Sequence, residues 1–311
     1  MSLSLIIPCY NEEESVELLY TEIVKVLADY PDYEMLFVDD GSKDNTLGRV
    51  IGLAEKDSRV KYISFSRQFG KEAAMLAGMR FSGGDYICIL DADLQHPPNM
   101  IPEMIKALDE GYDVAASRRT DRSGESKIKS FFARGFYKIV NSFASVRIEE
   151  GTQDFRVMKR KVVESIIGMP EYFRFSKGIF SWVGFNTKWI EHENADRIAG
   201  KSKFNAFKLC RYAIDGIVSF SVIPLRIALL MGVVVSLAGF VFLIMILYDW
   251  IAHGTDGTGY ATLICSFMLI GGTILLCLGI FGEYLSRIYI EVKRRPNYIV
   301  NETNVDCTRS T

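Results

Sequence analysis

The sequence predicts an α/β fold, a mostly parallel sheet covered by helices, followed by two membrane-spanning helices. Two observations carry this prediction. Between residues 2 and 117 short apolar runs alternate with amphipathic stretches, and residues 227–248 and 257–282 carry no charge at all. Strand and helix in alternation give parallel sheets with both faces buried. A hydrocarbon core of about 30 Å is crossed by roughly 20 helical residues, so each uncharged run is long enough.

Taken in order, the runs at 4–8, 35–39, 60–65, 86–90 and 114–117 read as strands. Helical periodicity marks 13–28, 45–54, 71–81 and 98–108, with Pro97 and Pro98 suited to a helix start. In such sheets ligands bind beyond the carboxyl ends of the strands, so chemistry is expected there. The two uncharged runs read as spans because one Asp or Arg at the centre costs about 3 kcal/mol on insertion scales. Buried core helices are the alternative, but these are usually shorter and amphipathic.

Basic residues orient the spans. Lys208, Arg211 and Arg226 precede the first, Arg287, Lys293, Arg294 and Arg295 follow the second, and residues 249–259 between them hold no Lys or Arg. The positive-inside rule then puts both termini and the long first domain in the cytoplasm. Residues 3–8 are too short for the apolar core of a cleavable signal.

Composition excludes several classes. The chain has 311 residues, 49% of them hydrophobic, which rules out wholesale disorder and a disulfide-stapled miniprotein. With 36 Lys and Arg against 38 Asp and Glu, the net charge of −2 gives no reason to expect nucleic acid as a partner. The six cysteines show no CxxC spacing and the three histidines are not paired with them, so no structural zinc is expected.

Polar residues cluster where strands end. Pro8-Cys9-Tyr10-Asn11-Glu12 follows the first strand, Asp39-Asp40-Gly41-Ser42 the second, and Asp91-Ala92-Asp93-Leu94-Gln95 the fourth. Singly, each has a structural explanation: Asp-Gly makes turns, and Ser42 or Asp44 caps helices. Asp91 and Asp93 point further, since residues two apart in an extended chain face one side. Magnesium or manganese suits such a pair, completing its shell with water and phosphate oxygens.

With Phe69-Gly70-Lys71-Glu72, Gln153-Asp154-Phe155-Arg156, Phe180-Ser181-Trp182-Val183-Gly184, Gly200-Lys201-Ser202-Lys203-Phe204 and the two spans, these motifs make the chain resemble a family 2 glycosyltransferase of the GT-A, Rossmann-like fold. Within it, the chain is similar to polyprenyl-phosphate glycosyltransferases, a group including bactoprenol glucosyltransferases and dolichol-phosphate mannose synthase. Gly282-Glu283-Tyr284 and the segment from Arg287 to Val292 resemble the bacterial two-span subgroup.

The resemblance implies a division of labour. Pro8, Tyr10, Glu12, Asp40, Asp91 and Arg118 would bind the nucleotide; Asp91, Asp93 and Gln95 would hold Mg2+ or Mn2+. Asp154, Asp93 and Arg156 would be catalytic, Asp154 nearest the reacting carbon as a sugar contact, a base or an orienting group for Arg156. Arg122, Arg197, Ser202 and Lys203, with Lys201 nearby, would meet the acceptor phosphate. The implied reaction moves a sugar, glucose first and N-acetylglucosamine second, from a UDP-sugar to undecaprenyl or another polyprenyl phosphate, inverting the anomeric centre.

The implied layout is a catalytic domain over 1–203, juxtamembrane amphipathic helices over 204–226, two spans over 227–285 and a cytoplasmic tail over 286–311. Aromatic and basic residues also mix in 127–145 as in an interfacial helix. The implied setting is the bacterial inner membrane, with homo-oligomers. Three other readings compete: a processive synthase, though no Gln-x-x-Arg-Trp motif is present; an Asp-x-Asp phosphatase, though Leu94 replaces the expected Thr or Val; and a membrane-anchored nucleotide-sugar sensor or scaffold.

Overall fold

A computed structural model of the chain describes residues 2–30, 32–119, 151–169, 171–192, 223–253 and 259–305. These fall into two units, one of described residues up to 192 together with 295–305, the other 223–294.

The first unit is built on eight strands: β1 Leu3–Cys9, β2 Tyr33–Asp39, β3 Val60–Phe65, β4 Tyr86–Ile89, β5 Val114–Arg119, β6 Thr152–Lys159, β7 Thr187–His192 and β8 Val300–Thr303. Their order is β7-β5-β6-β4-β1-β2-β3-β8. All run parallel except β6, which enters antiparallel between β4 and β5, and β8, which pairs antiparallel with β3. The sheet is thus mostly parallel, as the sequence pattern predicts, with two antiparallel strands added. The first five strands lie where the apolar runs predict them; β6, β7 and β8 have no such run.

Helices α1 Val16–Val26, α2 Thr46–Ala54, α3 Lys71–Phe81 and α4 Ile101–Asp109 connect the parallel strands, α4 after a 3-10 turn at Pro98–Met100. Two more, α5 Arg160–Ile167 and α6 Ser176–Trp182, follow β6. Burial explains the apolar β1. Leu5 and Ile7 pack with Val16, Leu19 and Ile23 of α1. Ile6 faces the other way, onto α3, where a side chain at Gly78 would overlap it. That close approach lets α3 deliver its first residue to the sheet edge.

The second unit consists of α7 Ile223–His253 and α8 Tyr260–Lys293. Mean hydropathy reaches 2.8 over Ile223–Tyr248 and 1.8 over Ser266–Lys293, and neither window is buried within the chain. Both helices are thus long and apolar enough to cross a membrane, whereas core helices would be covered. The helix of the second run continues eleven residues past the expected 282, helped by the Glu283–Arg287 pair one turn apart at 3.4 Å. The interfacial stretches expected at 127–145 and 204–220 lie outside the described residues.

Candidate functional site

The carboxyl ends of β1, β2 and β4 share one edge, and the loops leaving them line a cleft of about 400 Å³. Its described lining is Pro8, Cys9, Tyr10, Glu12, Asp40, Gln68, Lys71, Ala74, Asp91, Ala92, Asp93 and Gln95. Seven residues singled out by sequence therefore meet here: Pro8, Tyr10, Glu12, Asp40, Asp91, Asp93 and Gln95.

Loop-to-loop bonds hold the first two motifs together. The Asn11 amide donates to Ser42 Oγ at 3.0 Å, Lys43 N donates to Asn11 Oδ1 at 2.8 Å, and Glu12 N donates to Thr46 Oγ1 at 2.8 Å. Asn11 sits at φ 55, a left-handed conformation that Asn tolerates. Asp39 is structural, accepting from Ser42 N and, at 3.0 Å, from Ser64 Oγ. Asp40 accepts from the amides of Phe69 at 2.6 Å and Gly70 at 2.9 Å, fixing the turn that starts α3. Burial raises the Asp40 pKa, with those two amides opposing the shift.

Asp91 and Asp93 both reach the cleft, but not through an extended chain. The strand ends at Ile89, and Leu94 adopts φ 58. That left-handed residue turns the chain so that Gln95 N donates back to Asp93 Oδ1 at 3.2 Å while Ala92 packs inward. A turn, rather than strand alternation, thus sets the pair. Two carboxylates beside an amide, all opening on one cleft, suit a hard cation that takes the rest of its shell from substrate oxygens. Among the described residues no set of three His, Cys, Asp or Glu is grouped for a metal.

Asp154 arrives through β6. The antiparallel register pairs Ile89 with Arg156. Asp154 lies two residues before Arg156 on β6, and Asp91 lies beyond the end of β4. Like charges repel, and Lys71 stands between them. Its Nζ is 2.6 Å from Asp91 Oδ1 and 2.6 Å from Asp154 Oδ2. Burial works against both charges, but the pairing prevails. It raises the Lys71 pKa and, with Lys177 next in weight, holds the Asp154 carboxyl down at about 2. On the other side of Asp91, His96 Nε2 lies 4.0 Å from Oδ2 and stacks on Phe155.

Glu72, beside Lys71, is turned inward and accepts from both the amide and the hydroxyl of Ser176 at the start of α6. Burial raises its pKa against those bonds. The Lys71-Glu72 pair thus ties α3 to the Asp91–Asp154 wall with one side chain and to α6 with the other.

Several expected residues lie elsewhere. Arg156 does not face the cleft: it is 3% exposed, donates Nε and Nη2 to the carbonyls of Asp154 and Gln153, and stacks 3.6 Å over the Phe180 ring. Burial lowers its pKa to about 10. Arg156 braces the start of β6, and the Asp154 carboxylate, which accepts from Lys71, also acts on the Arg156 charge. Arg118 sits on β5 opposite Thr152 and is not among the lining residues. Arg122, Arg197, Ser202 and Lys203, with Lys201, lie outside the described residues.

Sequence reading assigned no role to Lys71, Glu72 or Gln68. For Lys71 a signal was present. A lysine at the first position of a helix opposes the helix dipole, so its placement needs another cause.

Comparison with known proteins agrees with this architecture. The family model "Glycosyl transferase family 2" matches residues 4–167. The SfII prophage-derived bactoprenol glucosyl transferase of Shigella flexneri is 41% identical over 305 residues, 98% of this chain and 99% of that protein. Putative glycosyltransferase CsbB of Bacillus subtilis is 41% identical over 304 residues, 97% of this chain and 92% of that one. Among solved structures, glucosyl-3-phosphoglycerate synthase from Mycobacterium tuberculosis shares 19% identity at TM-score 0.47, covering 70% of this chain and 77% of that one. With half the chain matched by the family model and near-complete relatives at this identity, the protein belongs to glycosyl transferase family 2 and has the GT-A fold.

Proposed function

We propose that the chain is a membrane-bound inverting glycosyltransferase that moves glucose from UDP-glucose to undecaprenyl phosphate or a related polyprenyl phosphate. The observation that carries this reading is the convergence of the three strand-end motifs on one cleft, with Asp154 joined to it through Lys71, in a chain that also has two bilayer-length apolar helices. The name of the Shigella flexneri relative supports the same donor sugar and lipid class.

In this mechanism Pro8, Tyr10, Glu12 and Asp40 take the nucleoside. Asp91 and Asp93, with Gln95, would hold Mg2+ or Mn2+, which when bound supplies positive charge to the departing diphosphate. Asp154 contacts the sugar. A carboxyl held at about 2 is a weak base, and a lipid phosphate with its second pKa near about 6 needs little help to be nucleophilic. Positioning therefore dominates, and Lys177 joins the cations available to the acceptor. A single in-line displacement on an α-linked donor yields a β-linked lipid phosphosugar.

A polyprenyl acceptor explains the helices. Each buried methylene contributes about 0.8 kcal/mol, so the lipid stays in the bilayer and the enzyme must be held beside it. We assign the two helices to a bacterial inner membrane with the catalytic unit and both termini cytoplasmic, and expect homo-oligomers. The layout proposed is 1–203, 204–226, 227–285 and 286–311, although α7 begins at 223 and α8 runs on to 293, and β8 of the last segment belongs to the catalytic sheet.

The test is transfer by the full-length chain in detergent, supplied with Mn2+, undecaprenyl phosphate and, in separate reactions, UDP-glucose, UDP-N-acetylglucosamine and GDP-mannose. Lipid-linked glucose is the expected product. No consumption of any activated sugar overturns the reading, and transfer of N-acetylglucosamine alone replaces the donor.

A further inference from the structure

Nothing in the mechanism above uses the ammonium that sits inside the acidic wall. Lys71 bridges two carboxylates from different strands at 2.6 Å each. One of them, Asp91, is a residue assigned to the metal; the other, Asp154, is the residue assigned to the sugar. A divalent cation that takes Asp91 brings like charge beside the ammonium on Oδ1, so the two compete for that carboxylate.

The position of Lys71 is built rather than incidental. Asp40 fixes the amides of Phe69 and Gly70. Gly70 turns the chain at φ 103 immediately before α3. Small residues Ala73, Ala74, Ala77 and Gly78 let that helix lie close on the sheet. Glu72 locks the same turn to Ser176. The Lys71 side chain remains 41% exposed to the cleft, so it has somewhere to go.

We propose that Lys71 is a positioning residue that acts as the resident counter-ion of the cleft: it joins Asp91 to Asp154 until metal and donor arrive, then yields Asp91 and stays with Asp154. This rests on the metal reading given above. Lys71 thereby competes with the cation for Asp91 and keeps two neighbouring carboxylates from repelling one another before the donor is in place. Asp91 with no ammonium beside it would bind a free divalent ion more tightly than the native wall does.

The test measures Mn2+ binding to the full-length protein in detergent, with no nucleotide, from the free aqueous Mn2+ electron paramagnetic resonance signal. Wild type, K71M, D154N and D91N are compared. K71M is expected to bind Mn2+ about tenfold more tightly than wild type, equivalent to about 1.4 kcal/mol. D154N is expected to bind it more weakly, because Lys71 then gives its whole charge to Asp91. Opposite signs in the two variants are the signature, since mere structural damage weakens both. Equal affinity in wild type and K71M, or tighter binding in D154N, overturns the proposal while leaving the metal site standing. If K71M does not fold, unchanged affinity in D154N overturns it alone. Absence of Mn2+ binding with and without UDP, or binding indifferent to D91N, overturns the metal reading and this proposal together.

Discussion

Gly41 ends the second motif, and its replacement by alanine tests how the cleft is held open. The residue lies at φ 66, and a Cβ built there would stand 2.6 Å from the carbonyl carbon of Arg67 and 2.9 Å from the amide nitrogen of Gln68. Both obstacles are backbone, so no side chain can swing aside. The left-handed conformation costs an alanine about 1 kcal/mol, and overpacking against a fixed neighbour adds about 2 kcal/mol. The sum of about 3 kcal/mol corresponds to a melting temperature lowered by roughly 6–12 °C in a domain of this size.

The damage should also be local. Displacing 67–68 moves Gln68, which lines the cleft, and strains the amides of Phe69 and Gly70 that hold Asp40. UDP affinity is therefore expected to fall along with stability. The assay is thermal unfolding in detergent, with UDP titrated calorimetrically at a temperature where both proteins are folded. Gly52→Ala is the control: it lies inside α2 with nothing near its would-be Cβ, so it should be neutral or stabilise by up to about 1 kcal/mol. If G41A melts within about 1 °C of wild type and binds UDP equally, the close approach of the two loops is not what shapes the site.

Three other outcomes follow. D154N should keep UDP binding while losing transfer by about a hundredfold or more, as expected when a positioning contact is removed; unaltered turnover strikes Asp154 from the site. Because burial raises the Glu72 pKa, the folded chain holds a proton there that the unfolded chain has already lost. Ionising Glu72 therefore lowers stability as pH climbs from about 4.3 through the raised value. E72Q should flatten melting temperature against pH over that window, and matching slopes refute the assignment. Y298A removes a ring stacked 5.0 Å on Phe65 and faced by Arg80; a loss of about 2 kcal/mol is expected, read as a lower melting temperature, and an unchanged melt shows that the tail does not brace β3.

The half of the sheet built from β1 to β5 was legible because its strands are buried on both faces and its helices are periodic. The other half was not, for identifiable reasons. Strand β6 reads Thr-Gln-Asp-Phe-Arg-Val-Met-Lys, with charges inside a central strand. That is tolerable only because Arg156 finds two carbonyls and an aromatic face, which no local pattern announces. Strand β8 is four mostly polar residues whose partner lies more than 230 positions earlier. Its anchors are single contacts: Ser66 N donates to the Ile299 carbonyl, and Asn297 Nδ2 donates to that of Glu171. The motifs identified the cleft, yet the approach of Asp154 to Asp91 depends on β6 entering beside β4 and on the Lys71 bridge, which they do not encode.

Charge in the cleft bears on why the site would need cations. Four carboxylates, Glu12, Asp40, Asp91 and Asp93, line the cleft against Lys71 as the one cation among its described lining residues, and Lys71 also holds Asp154. A diphosphate entering such a field would be repelled, since unit charges about 4 Å apart interact by about 4 kcal/mol at an effective dielectric of 20. On the proposed function, the wall favours a donor that enters with a divalent cation. Without a resident ammonium, Asp91 and Asp154 would repel one another in the free enzyme. Lys71 lets the protein keep the carboxylates that the loaded state requires while the cleft is still empty of donor.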